Sequence, residues 1–172
     1  MIGLRWKENA MTFQVSEYVF HRHCGVCLIQ AIAPLPGDES GALYYVLSPL
    51  FGDDKGNIVR VPVNFASSLQ KPITKDDAID MVSHWPSPDK DWYITDSKRR
   101  KTTYEEALKN GTLADLAPLL EGAMQRKKKD GHLNSMDSQF VGRAQPLIYG
   151  ALSLALDINY SDVPKFISDH LA

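Results

Sequence analysis

Between residues 17 and 65 apolar and polar positions alternate in short runs. "EYVFHR", "GVCLIQAIA", "ALYYVLSPL" and "NIVRVPVNF" are rich in Val, Ile, Tyr and Phe and are parted by the turn formers "PLPGDESG" and "GDDKGN". That spacing predicts four strands of a small antiparallel sheet or barrel. Pro62, inside the fourth run, has no N–H to give a ladder and so places that strand at an edge or a bulge. An open edge accepts a partner's strand.

From residue 74 the period lengthens from two to about 3.6. "TKDDAIDMVSHW" reads as a helix capped by Thr74 and stopped by "PSPD". A second helix follows and ends at Gly111. In "TLADLAPLLEGAMQRKKKDG", Leu113, Leu116, Leu120 and Met124 form one apolar stripe, and Pro118 demands either a start nearer Asp115 or a kink. Phe140, Ala144, Leu147, Ile148 and Ala151 mark a long helix expected to be capped by Ser135 and made irregular by Pro146; Val163, Phe166, Ile167 and Leu171 mark a short last one. Strands followed by helices predict an α+β chain of two adjoining domains, a small antiparallel β domain over residues 11–70 and an all-α domain over 71–172. No internal repeat, low-complexity tract or phosphate-binding glycine loop interrupts this order.

Composition adds bounds. The 172 residues are 44% hydrophobic and 23% charged, the balance of an ordinary globular protein with a real core. No run approaches the roughly 18 apolar residues of a membrane span, and "MIGLRWKENAMTF" lacks the apolar core and cleavage site of a secretory leader, so no membrane contact and a cytoplasmic location are expected. Lys and Arg number 19 against 21 Asp and Glu, a formal net charge of −2, which leaves any anion-binding surface to a local patch. Residues 97–131 provide one, with nine basic and five acidic side chains.

At its front stand Lys98, Arg99, Arg100 and Lys101, at a helix start whose partial positive charge disfavours each cation by about 0.3–1 kcal/mol. A polyanion would offset that cost, whereas a solvated charged turn is the plainer reading. Trp92 and Tyr93 lie just upstream, with Trp85 before the turn; aromatics beside cations suit wedging or stacking against bases, although a Trp beside a helix is more often a packing residue.

The search for catalytic chemistry returns little. His21, His23, His84, His132 and His170 are scattered and attached to no HExxH, GxSxG or spaced carboxylate motif, so no catalytic residue, cofactor or small-molecule substrate is assigned. His21, His23, Cys24 and Cys27 fall within seven residues. Four ligands on one short run rarely close a tetrahedron, and the apolar "LIQAIA" after Cys27 reads as strand rather than the helix of a thioredoxin-like pair. No metal site is assigned, and a metal or redox role for His21–Cys27 stays as the lesser alternative.

The order of these blocks resembles the CarD family of bacterial transcription regulators that bind RNA polymerase, over roughly residues 12–156. "FQVSEYVFHRHCGVCLIQAI" is similar to the family's opening turn, strand, His-containing turn and second strand; "YYVLSP" and "VRVPV" to its next strands; "ITKDDAIDMV" to its first helix; "KRRKTTYEEALKNGTLADLAPLLEGAMQRKKK" to its basic and Leu-rich helices; and "RAQPLIYGALSLAL" to its final helix. The resemblance implies a Tudor-like β domain that pairs with the polymerase β subunit, and a helical domain that touches promoter DNA through phosphates and the minor groove, with little sequence specificity. It places the polymerase contact at Val59, Arg60, Val61 and Pro62, and DNA contacts at Lys98, Arg99, Arg100 and Lys101. The family's Trp, two residues before the arginine pair, falls on Ser97 here, which leaves Trp92 as the candidate in its place. The loop "APLPGDES" is acidic where the family has a second basic contact. The function implied is modulation of open-complex stability, with a protein-only adaptor lacking DNA contact as the alternative.

Overall fold

The computed structural model describes residues 13–171. The stretch through residue 12, which includes the opening and the first two positions of the expected β domain, lies outside the described residues. The chain is α+β and divides between Pro72 and Ile73 into two compact units, two residues beyond the expected boundary.

The first unit is a five-stranded antiparallel sheet: β1 Tyr18–His21, β2 Gly25–Ala33, β3 Tyr44–Pro49, β4 Val59–Pro62 and β5 Leu69–Gln70, in the order β4-β3-β2-β1-β5. Alternation sets the faces. Along β3, Tyr45, Leu47 and Pro49 point inward while their neighbours stay partly open, and with Val19, Cys27, Ile29, Val61 and Leu69 they form the core. A bulge between Ile29 and Ala31 shifts the β2–β3 register. A second one precedes β1: the Ser16 N–H donates to Ile29 O while the Ile29 N–H donates to Glu17 O, so two residues oppose one. Ser16 fits this by adopting φ 73°, a conformation that glycine reaches without strain.

The fourth strand is shorter than its sequence pattern predicts. Pro62 holds φ −56° with its missing N–H turned to the open edge, and after the Val63 N–H donates to Leu43 O the chain leaves the sheet, Val63–Ser68 forming a 3-10 turn in place of strand. That turn returns the chain to β1 as β5, an edge strand too short to show a pattern.

The second unit is helical: α1 Lys75–Ser83, α2 Ser97–Asn110, α3 Leu113–Asp130, α4 Ser135–Leu156 and α5 Val163–His170. Thr74 caps α1 and Thr112 caps α3, each in a reciprocal box with an Asp three residues on. The cap of α4 is Asn134, one residue before the expected Ser135; its Oδ1 accepts from the Asp137 N–H. Pro118 lies in the second turn of α3, because the cap at Thr112 starts the helix ahead of Asp115. Gly111 ends α2 as expected, although for want of room rather than an unusual dihedral: a Cβ there would meet Ala107 O at 2.7 Å. The apolar side of α4, with Phe140, Ala144, Leu147, Ile148, Ala151 and Leu152 buried, forms the centre of this unit.

Among the described residues no helix is long and apolar enough to cross a membrane.

Candidate functional site

In the β unit the candidate surface is the outer edge of β4, along which no strand pairs among the described residues. The Val63 N–H donates to Leu43 O, and Val61 and Val59 follow in the same register opposite Tyr45 and Leu47. Antiparallel alternation therefore spends the amides and carbonyls of Val59 and Val61 on β3 and turns those of Arg60 outward, together with Pro62 O. Side chains divide likewise: Arg60 is exposed, whereas Val61 is 6% exposed and joins the core, with Val59 and Val63 packed against it. Val61 is thus corrected from contact residue to core residue. Exposed Ile58 and Phe65 flank the edge.

In the helical unit the basic cluster splits. Asp96 caps α2 by accepting from the Arg99 N–H at 2.7 Å, which places a carboxylate against the helix's partial positive charge. Lys98 and Arg99 are exposed and form no ion pair among the described residues. Lys101 is exposed too, with Glu105 3.9 Å away, a loose solvent-facing pair of little energetic weight.

Arg100 is 4% exposed and turns inward, a correction to its expected role at DNA. Its Nε donates at 2.9 Å to Oδ1 of Asp137, itself fully buried, and its Nη1 donates to the carbonyls of Ile94 and Thr95. Tyr104 donates to the same Oδ1 at 3.0 Å and Tyr93 to Oδ2 at 2.8 Å. Three donors, one of them cationic, thereby hold the carboxylate, as a buried charge requires. Burial first, then the Asp137 carboxylate, pushes both phenols above the usual tyrosine range. Nothing in the local sequence marked Asp137, 37 residues away, as the partner.

The segment before α2 is fixed against α3. The Trp92 N–H donates to Gln125 Oε1, and Gln125 Nε2 donates to the carbonyls of Pro88 and Lys90. Gly122 lets the backbones approach, since a Cβ there would lie 2.7 Å from Trp92 C and O. Trp92 is half-buried, its indole N–H held by Ser87 O at 2.8 Å and its ring covered by Lys90 Nζ at 4.4 Å. Trp85 is buried, with its indole N–H on Glu121. An open pocket of ≈ 340 Å³ beside this segment is lined in part by Lys90, Tyr93, Arg126 and Lys129. Gly122 and Gln125 escape a reading by composition because each acts through backbone groups far along the chain, Gln125 at a separation of 33 residues.

The turn between β1 and β2 holds the histidine and cysteine cluster. His21 Nδ1 accepts from the backbone N–H groups of His23 and Cys24, and Cys24 Sγ lies 3.0 Å from the same nitrogen. No group of three His, Cys, Asp or Glu side chains able to hold a metal ion forms among the described residues. Neither a protein-family model nor a curated protein matches the chain.

Proposed function

We propose that the chain is a non-enzymatic transcription regulator of the CarD kind, whose Tudor-like β unit docks on the RNA polymerase β subunit and whose helical unit contacts promoter DNA. The observation that favours it most is the outer edge of β4, where the backbone of Arg60 is unused and its side chain exposed. Strand pairing there supplies affinity while the guanidinium selects an acidic neighbour. The DNA-facing set is Lys98, Arg99 and Lys101; Arg100 acts behind them by fixing the start of α2. Trp92 offers ring surface but no free N–H, a chemistry fit for wedging against a base step rather than hydrogen bonding. Two weak contacts joined in one chain raise each other's effective concentration and prolong the open promoter complex.

Co-purification with polymerase tests the first contact: Arg60→Glu is expected to abolish it, and retention of polymerase by that variant would overturn the docking edge. For the second, Lys98→Ala and Arg99→Ala are each expected to shorten open-complex lifetime and lower the salt slope of DNA binding by about one. The inward turn of Arg100 favours a second reading, a protein-only adaptor. An adaptor would keep its full effect on polymerase in the Lys98→Ala and Arg99→Ala variants.

A further inference from the structure

Cys24 and Cys27 are free thiols with Sγ atoms 3.7 Å apart, inside hydrogen-bonding reach of each other. The chain arrives at this through Gly25, whose φ of 73° turns the backbone between them at the start of β2. The two thiols are not equivalent. Cys27 is fully buried, and its S–H has Gly25 O at 3.4 Å as a further acceptor. Cys24 is 7% exposed and is the one a reagent meets first. Its Sγ lies 3.0 Å from His21 Nδ1, nearer than the two backbone N–H groups that donate to that nitrogen at 3.2 and 3.3 Å. Two cysteines that merely filled a core would need no base beside one of them.

We infer that this turn is a reversible dithiol–disulfide site, with Cys24 as the nucleophile, Cys27 as the resolving thiol, His21 as the base, and low-molecular-weight disulfides as the oxidant. The reading is independent of polymerase and DNA contact.

The electron and proton balance closes. Cys24 first passes its proton to His21 Nδ1, and the resulting thiolate attacks one sulfur of the small disulfide; the S–S bond of the oxidant breaks, a mixed disulfide forms on Cys24, and the departing thiolate takes a proton from His21. Cys27 then attacks the Cys24 sulfur, the mixed bond breaks, and the second departing thiolate takes the Cys27 proton. The protein loses two hydrogens and two electrons, and one small disulfide becomes two thiols. Closure needs the sulfurs to come together from 3.7 Å to roughly 2 Å, a motion that the turn ahead of β2 must absorb. The electrostatics agree: the hydrogen bond from Cys27, and then His21, against the opposing effect of burial, bring the Cys24 thiol down to about 5, while the same contact and burial push Cys27 upward.

The test uses the full chain, reduced and then exposed to oxidised glutathione. Intact-mass measurement is expected to show loss of two hydrogens, reversed by dithiothreitol. Cys27→Ala is expected to stop at a single glutathione adduct on Cys24, and Cys24→Ala to gain none. The pH profile of Cys24 alkylation is expected to have its midpoint near 5 in the wild type and to move up towards the ordinary thiol value of about 8.5 in Cys27→Ala. Wild-type protein that keeps both thiols in oxidised glutathione, or an alkylation midpoint in the ordinary range, would overturn the assignment.

Discussion

Arg99 and Arg100 are adjacent in sequence and opposite in use. One helical residue rotates the side-chain direction by about 100°, so of two neighbouring cations at most one faces the core. A basic run in the sequence shows that charge is concentrated; it does not show which member has an acid waiting inside. Asp137 decides that, from the first turn of another helix. Arg100→Met would strand its carboxylate in the interior and is expected to lower stability by about 3–5 kcal/mol, against roughly 0.5 kcal/mol or less for Arg99→Met. Urea denaturation of the two variants checks this, and equal midpoints would show that the buried pair has no special weight. The β4 residues divide by the same logic with period two in place of 3.6: Val59 and Val61 share a face, and Arg60 has the other.

The larger elements were legible because their patterns are long. Four strands and five helices follow from alternation, stripes and caps, and Thr74 and Gly111 stand at the ends the sequence gives them. The failures are short-range. β5 has two residues and no period to read, the 3-10 turn after Pro62 carries apolar residues that mimic strand, and Asn134 and Ser135 are both competent caps one position apart. Least legible was the attachment of the segment before α2 to α3, since a glycine inside a helix usually reads as a weakness. At Gly122 the missing side chain is the contact. Gly122→Ala gains up to about 1 kcal/mol of helix propensity but drives a methyl into the Trp92 backbone, an overpacking of about 1–3 kcal/mol. The expected result is a net loss of stability with a red-shifted Trp emission as the segment lifts; a stabilised variant with unchanged emission would refute the close approach.

At the scale of the molecule, the chain builds two cores of different kinds, one from alternating strands and one around α4. Tyr93, Tyr104, Tyr149 and Tyr160 all lie in the helical unit, and burial pushes each phenol up, Tyr160 to about 12. A raised phenol stabilises the fold in full below its unfolded value of about 10, and that contribution disappears as pH climbs towards the folded value. Helical ellipticity is therefore expected to melt at progressively lower temperature once pH passes about 10, and a Tm constant across that range would count against the buried phenols. The edge of β4 has a further consequence, for what the protein avoids. Two copies laid along each other there would set guanidinium against guanidinium and leave Pro62 with nothing to donate. Homotypic stacking, the usual route from a bare strand to a fibril, is thus discouraged by the same two residues that mark this edge.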